Sequence, residues 1–245
     1  MMKHVDAAVI GGGILGCFVV RSLRRWNIST VLLEKEDDVC KGITRANSAI
    51  VYAGYDNKPG SLKAAMTVAG NANMTALCEE LEVPFSRCGS VLVTYEKEAI
   101  AKLERKLENG LQSGVPGLRL LSGTEAEAME PMLKKGVAAA LYAPSTGTVN
   151  PWQLGIAAFE NAVNNGAEAV LNTEVLGIRE NGQGFLVETG EDASVLNNVF
   201  NSYMYLEIFD KVLIIENNTG EAEYLRGMLA ETMNVTVVNI HNTEA

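Results

Sequence analysis

The chain has 245 residues, with 20 Lys and Arg against 30 Asp and Glu, a formal net charge of −10; with no basic block, the electrostatic footprint of a nucleic-acid partner is excluded. No apolar run reaches the length of a membrane span, Cys17, Cys40, Cys78 and Cys88 include no C-x-x-C pair, and His4 and His241 sit at the chain ends, so neither a zinc site nor a disulfide framework is written here. These bounds describe a globular cytoplasmic protein of one large domain or two small ones, with no transmembrane segment.

The first element is a short apolar strand, Ala7 to Ile10, running into Gly11, Gly13 and Gly16, and Ile14, Leu15, Phe18, Val19 and Leu23 then suit a helix packed on a sheet. This is the G-x-G-x-x-G pattern opening a helix. One glycine permits the tight turn, one lets the backbone approach a pyrophosphate, and one lets helix and strand pack closely, so a side chain at any of the three is expected to obstruct. Ala7 to Val20 could pass for the core of a signal peptide, but the three glycines, the strand beyond and the lack of a small-residue cleavage site argue against it. A second strand, Val31 to Leu33, ends in Glu34, where an acid would hydrogen-bond a ribose hydroxyl and repel a 2′-phosphate. NADP is therefore disfavoured. The unit Val5 to Glu34 is expected to bind the ADP part of NAD or FAD, and by itself does not distinguish them. Cys17 falls in the first helix as a small core residue.

Cys40 to Gly60 is turn-rich yet carries Ile50, Val51, Tyr52 and Tyr55, too apolar for an idle loop. Pro59 is placed to start a helix through about Glu82. Pro84 to Tyr95 reads as strands turning at Cys88-Gly89, and Ile100, Leu103, Leu107 and Leu111 form one stripe of an amphipathic helix that ends at glycine. Ser122-Gly123-Thr124-Glu125 has the spacing of a capping box before a short helix stopping at Pro131. Val137 to Tyr142 is an apolar strand, Pro144 to Asn150 a loop, and Pro151 opens a helix to about Asn165. Three strand-like runs follow: Glu168 to Leu171, Glu174 to Arg179 and Gly184 to Glu188. A βαβ unit, a mixed region and a return to strands fit a flavin-type fold with an inserted substrate-binding part.

Four stretches, "AAVIGGGILGC…VLLEKE", "TRANSAIVYAGYDNKPGSLKAAMTVAGN", "MEPMLKKGVAAALYAPSTGTVNPWQLGIAAFENAVNNGAE" and "TEVLGI", together resemble the FAD-dependent oxidoreductases related to D-amino-acid oxidase. The resemblance is to the branch with glycerol-3-phosphate dehydrogenases and L-2-hydroxyglutarate oxidases, and covers Val5 to about Glu188. It implies an α/β fold: a Rossmann-like FAD-binding domain with an inserted α+β substrate-domain portion. The expected division is 1–80 for the FAD-binding part, 81–165 for the substrate part, 166–190 for a return to the FAD-binding domain, and 191–245 for a divergent tail. The resemblance also implies that FAD is the cofactor, with Gly11, Gly13 and Gly16 at its pyrophosphate and Glu34 on the adenosine ribose. It places Thr44, Asn47 and Ser48 along the pyrophosphate and flavin ring, and the Val175 backbone against adenine. Tyr52 departs from the family pattern, which has a His near the flavin; a phenol with pKa near 10 mostly donates a proton where a neutral imidazole accepts one. Tyr52, Tyr55 and Arg45 are the catalytic candidates, the latter two able to orient a carboxylate or phosphate.

Beyond about Gly190 the family's late glycine motif does not follow, and the remaining stretch does not align with it. The tail has a βαβ pattern of its own: strand Lys211 to Ile215, helix Thr219 to Met233, strand Val235 to Ile240. Three functions follow as expectations. The first is oxidation of a small hydroxy compound, glycerol 3-phosphate or, alternatively, L-2-hydroxyglutarate. The second is a truncated non-catalytic fragment that binds FAD or needs a partner subunit to complete its site. The third is an NAD-binding regulatory module.

Overall fold

The computed structural model describes residues 3–26, 28–180, 184–191, 205–208 and 213–214. In chain order, β1 (Lys3–Val5) and β2 (Ala7–Ile10) lead to α1 (Ile14–Leu23) and β3 (Thr30–Leu33). There follow β4 (Ile50–Val51), α2 (Leu62–Glu80), β5 (Phe85–Ser86), β6 (Ser90–Thr94), α3 (Ile100–Gln112), β7 (Arg119–Ser122), α4 (Gly123–Met129), β8 (Ala139–Ala143) and β9 (Gly147–Val149). The last described elements are α5 (Pro151–Asn164), β10 (Glu168–Val170), β11 (Thr173–Glu180), β12 (Phe185–Glu191), β13 (Tyr205–Ile208) and β14 (Leu213–Ile214).

These elements form two compact units, Met1–Asn47 with Pro151–Ala245, and Ser48–Asn150. The divisions fall earlier than the expected 80/81 and 165/166. β4 pairs with β9, so the chain has already entered the second unit before α2 begins, and α5 packs on α1, so it has returned before α5 ends.

In the first unit a parallel sheet runs in the order β10-β3-β2-β14. Every residue of β3 is buried, as a parallel strand covered on both faces requires, which is why it reads as a continuous apolar run. A second sheet, in the order β1-β13-β12-β11, lies against it. Val5, Ala8, Val31, Leu33, Ile178 and Val187 come from both sheets and fill the core between them. Burying a side chain of this size stabilises by about 1.5–3 kcal/mol. β13 sits between β1 and β12, and β14 adds to the edge beside β2. Chain past Gly190, expected as a divergent tail, therefore supplies a strand to each sheet of the nucleotide unit, and β14 lies within the strand expected over Lys211 to Ile215. The expected helix Thr219 to Met233 and strand Val235 to Ile240 lie outside the described residues.

In the second unit β6, β8 and β7 form an antiparallel sheet covered on both faces. Alternate residues of a strand point to opposite sides. Ala139, Leu141 and Ala143 thus pack with Leu103 of α3, while Ala140 packs with Ala126 of α4. The expected capping box starts α4: Glu125 N–H donates to Ser122 Oγ at 3.3 Å and Ser122 N–H to Glu125 Oε2 at 2.8 Å. Three expectations are corrected. Pro59 lies in a turn before α2, whose N-cap is Ser61, its Oγ accepting from Ala64 N–H at 3.2 Å. Leu111 is 59% exposed, because the buried stripe of α3 is already provided by Leu103 with Ile100 and Leu107. The loop Pro144 to Asn150 contains β9, which joins β4 and β5 into a small sheet.

Candidate cofactor site

The glycine turn at the end of β2 is built by four glycines with different tasks. Gly11 has φ +97°, which a side chain would disfavour, and its N–H donates to Leu33 O at 2.8 Å, tying the turn to β3. A methyl group at residue 16 would stand 1.9 Å from the Gly11 carbonyl oxygen. Only glycine lets α1 start this close to the strand. Gly12, which the spacing argument passed over, is held on three sides: its N–H donates to Glu34 Oε2, and its carbonyl accepts from Cys40 N–H at 2.8 Å and Cys17 Sγ at 3.4 Å. A side chain there would press on Glu34 and Val39.

Gly13 is different. It is the N-cap of α1, with φ −68° and ψ 173° and no side-chain cap, a backbone any residue adopts, and a methyl group would meet only Thr44 Oγ1 at 3.6 Å. Packing within the protein therefore does not demand a glycine at this position: within the first unit a side chain there clashes with nothing. What the open space fits is a group that must come close to the backbone at a helix N-terminus, where N–H donors and the helix dipole favour an anion. The pyrophosphate of a dinucleotide is such a group.

Thr44 and Glu34 complete the cradle. Thr44 is buried in a short 3₁₀ turn, Ile43–Arg45, and its Oγ1 accepts from Ile14 N–H at 3.0 Å, capping α1 from thirty residues away in sequence. Its hydroxyl keeps an O–H to donate. Asn47 closes that turn, Nδ2 donating to Thr44 O at 2.8 Å and Ile43 O at 3.3 Å. Glu34, half-buried at the end of β3, accepts from Gly12 N–H and, at 2.9 Å, from Glu36 N–H. A carboxylate has about four lone-pair sites, so capacity for a ribose hydroxyl remains. Val175 lies in β11 opposite Thr189, and a bulge between Val175 and Gly177 breaks the register there and leaves Leu176 61% exposed. A bulge frees backbone groups from the ladder.

The catalytic candidates are not gathered in one unit. Arg45 is exposed in the first. In the second, Tyr52 is 55% exposed and its hydroxyl shares a 3.4 Å hydrogen bond with Ser48 Oγ. Tyr55 is half-buried, with the Lys106 ammonium 6.0 Å from its ring centroid, and burial pushes its phenol up, so it remains a donor. Two residues that the pattern missed hold the Tyr52 backbone. Asn71, buried on α2, donates from Nδ2 to Tyr52 O at 3.1 Å and Ser145 O at 2.9 Å. Arg87 then donates to Asn71 Oδ1 at 2.9 Å and Ser145 O at 2.8 Å, fixing the amide's orientation. The one available signal was an Asn amid the small and apolar residues of α2.

A family model described as "DAO: FAD dependent oxidoreductase" matches residues 6–202. The chain belongs to the DAO family. It is 41% identical over 223 residues to the glycerol 3-phosphate dehydrogenase of Caloramator mitchellensis, covering 91% of this chain and 46% of that one. It is also 35% identical over 175 residues to the mitochondrial L-2-hydroxyglutarate dehydrogenase of Homo sapiens, covering 71% and 37%. The chain thus spans about half the length, or less, of these DAO-family relatives. Because the first match takes 223 of 245 residues, it runs well past Gly190, overturning the expectation that the tail does not align. In fold, the chain matches the dithionite-reduced L-α-glycerophosphate oxidase from Mycoplasma pneumoniae with FAD bound, at TM-score 0.78 and 22% identity over 92% of this chain and 57% of that one. It matches glycine oxidase from Geobacillus kaustophilus at TM-score 0.74 and 24% identity, over 86% and 55%. The DAO family is FAD-dependent. Among the described residues, no helix is long and apolar enough to cross a membrane.

Proposed function

We propose that this chain holds FAD and serves the oxidation of a small hydroxy compound, with glycerol 3-phosphate the first candidate. The observation that carries the proposal is the cradle at the start of α1: Gly13 leaves space that no protein atom needs, beside Thr44, Gly12 and Glu34, in a chain of an FAD-dependent family. Gly11 and Gly16 set the turn, Gly13 and Thr44 face the pyrophosphate, Glu34 takes the adenosine ribose, and the backbone at Val175, beside the bulge at Leu176, meets the adenine. Asn47 and Ser48 continue along the cofactor toward the flavin ring. When bound, FAD accepts a hydride from the substrate carbon.

Tyr52 donates a hydrogen bond to the substrate from its Ser48-supported hydroxyl, and Tyr55 and Arg45 are candidates for orienting a phosphate or carboxylate. Glycerol 3-phosphate is favoured over L-2-hydroxyglutarate by the higher identity to the first relative, 41% against 35%. The test is anaerobic reduction of the FAD-loaded protein by each compound, followed by loss of flavin colour. Bleaching by glycerol 3-phosphate supports the assignment, and bleaching only by L-2-hydroxyglutarate reassigns the substrate. A second reading, in which the chain holds FAD without turning over by itself, is favoured by one observation: the part of the dehydrogenase that it matches is 46% of that protein's length. Stable colour with both compounds supports it.

A further inference from the structure

We propose that Asn71 and Arg87 are positioning residues for Tyr52, setting its hydroxyl for the substrate from a polar ridge along α2. This rests on the proposed role of Tyr52 as a hydrogen-bond donor to that substrate. Tyr52 needs such support: β4 ends at Val51, so the ladder with β9 stops short of it, and its side chain is 55% exposed. Packing does not hold it. On α2, Thr67, Asn71 and Thr75 recur every fourth residue and so lie along one face. Each braces a different point. Thr67 Oγ1 accepts from Asn57 Nδ2 at 3.0 Å, fixing the far end of the loop that Tyr52 begins. Asn71 Nδ2 donates to the carbonyls of Tyr52 at 3.1 Å and Ser145 at 2.9 Å, and Thr75 Oγ1 accepts from Arg87 Nε at 3.1 Å.

Arg87 decides how the amide stands. Its Nη1 donates to Asn71 Oδ1 at 2.9 Å and Ser145 O at 2.8 Å, and its Nη2 to Asn71 O at 2.6 Å. A guanidinium has no acceptor, so Asn71 can face it only with Oδ1, and Nδ2 is thereby turned to the two carbonyls. The reversed amide would set oxygen against two oxygens and N–H groups against a cation. Asn71 is buried, where such a network is strong when satisfied and costly when broken. The Tyr52 carbonyl is therefore fixed to the turn at Ser145, and with it the direction in which the side chain leaves the backbone toward its 3.4 Å bond with Ser48 Oγ. Acting through Tyr52, Asn71 can add no more to turnover than the Tyr52 hydroxyl does.

The test is fluorine NMR of the full chain labelled with meta-fluorotyrosine, with the Tyr52 line assigned by its absence from Tyr52→Phe. Two variants are compared: Asn71→Asp keeps the shape and the Arg87 pair but loses the donor, and Arg87→Ala alters an exposed side chain. In both, the Tyr52 line should move toward the position of free fluorotyrosine while those of Tyr95 and Tyr142 stay. A Tyr52 line that stays put in either folded variant overturns the proposal; where Asn71→Asp does not fold, Arg87→Ala decides alone. With FAD bound, turnover of glycerol 3-phosphate per flavin should fall about tenfold in Asn71→Asp, and no further when Asn71→Asp is added to Tyr52→Phe. Equal losses in both backgrounds overturn it. If no FAD binds, or glycerol 3-phosphate leaves the flavin unreduced, the functional reading fails while the fluorine line still decides whether Asn71 sets Tyr52.

Discussion

A methyl group at residue 16 would meet the Gly11 carbonyl oxygen at 1.9 Å, whereas at residue 13 it would meet only Thr44 Oγ1 at 3.6 Å. The two substitutions should therefore fail differently. Gly16→Ala forces α1 away from β2 and should cost about 1–3 kcal/mol or more, read as a fall in melting temperature. Gly13→Val should leave a folded protein while abolishing FAD binding; flavin retained by that variant would sink the placement of the pyrophosphate. At Tyr52 the family position is occupied by a phenol whose partner is Ser48. Tyr52→Phe should lower kcat/KM about tenfold, the worth of one hydrogen bond, and an unchanged value would remove Tyr52 from the site. The turn at Gly11, Gly13 and Gly16 was legible because its chemistry packs them into one short stretch, and the position of Glu34 because it ends the next apolar run. Gly12 and Cys40 were not, since what holds them is each other, at separations no local pattern encodes.

Elements show the same division. β2, β3, β8 and α5 were readable from apolar runs, Pro151 and length, and the Ser122 capping box from its spacing. β5 fell within the strands expected over Pro84 to Tyr95, but β4 and β9 are two or three residues long and sit in turn-rich sequence, so no period announces them; their pairing is what makes them strands. Asn71 belongs to this scale, since it ties α2 to the chain after β4 and before β9. Asn71→Ala leaves the carbonyls of Tyr52 and Ser145 short of a donor and should cost about 2 kcal/mol, or roughly 4–8 °C of melting temperature. A shift near zero would mean that Arg87 alone suffices. The loop after α4 carries a pH dependence. Glu127 accepts from Gly136 N–H at 2.7 Å and Val137 N–H at 3.2 Å, and these bonds, the first above all, with Lys135, hold its carboxyl below the ordinary 4.5. A carboxyl depressed in the folded state stabilises above its unfolded pKa and loses that contribution as pH falls through the folded one. Stability should thus drop below about pH 4.5, and drop less in Glu127→Gln; equal acid sensitivity in both would place the effect elsewhere.

At the scale of the molecule, the α/β class and the nucleotide unit followed from the order of elements, but the boundaries did not. Division at Asn47 and Pro151 depends on which sheet a strand joins, and that is a long-range property. Past Gly190 the strand expected over Lys211 to Ile215 contains β14, whereas β13 went unread for the same reason: it is short and finds its meaning only between β1 and β12. A ligand that binds only the folded nucleotide unit must stabilise it, by about 2.7 kcal/mol at a hundredfold excess over Kd. The central claim is that the cradle of Gly13, Thr44 and Glu34 holds FAD. The most direct measurement is the visible absorption spectrum of the purified chain after addition and removal of excess FAD. Retained flavin bands, absent from Gly13→Val, are the predicted result; a colourless protein that takes up no FAD would contradict it.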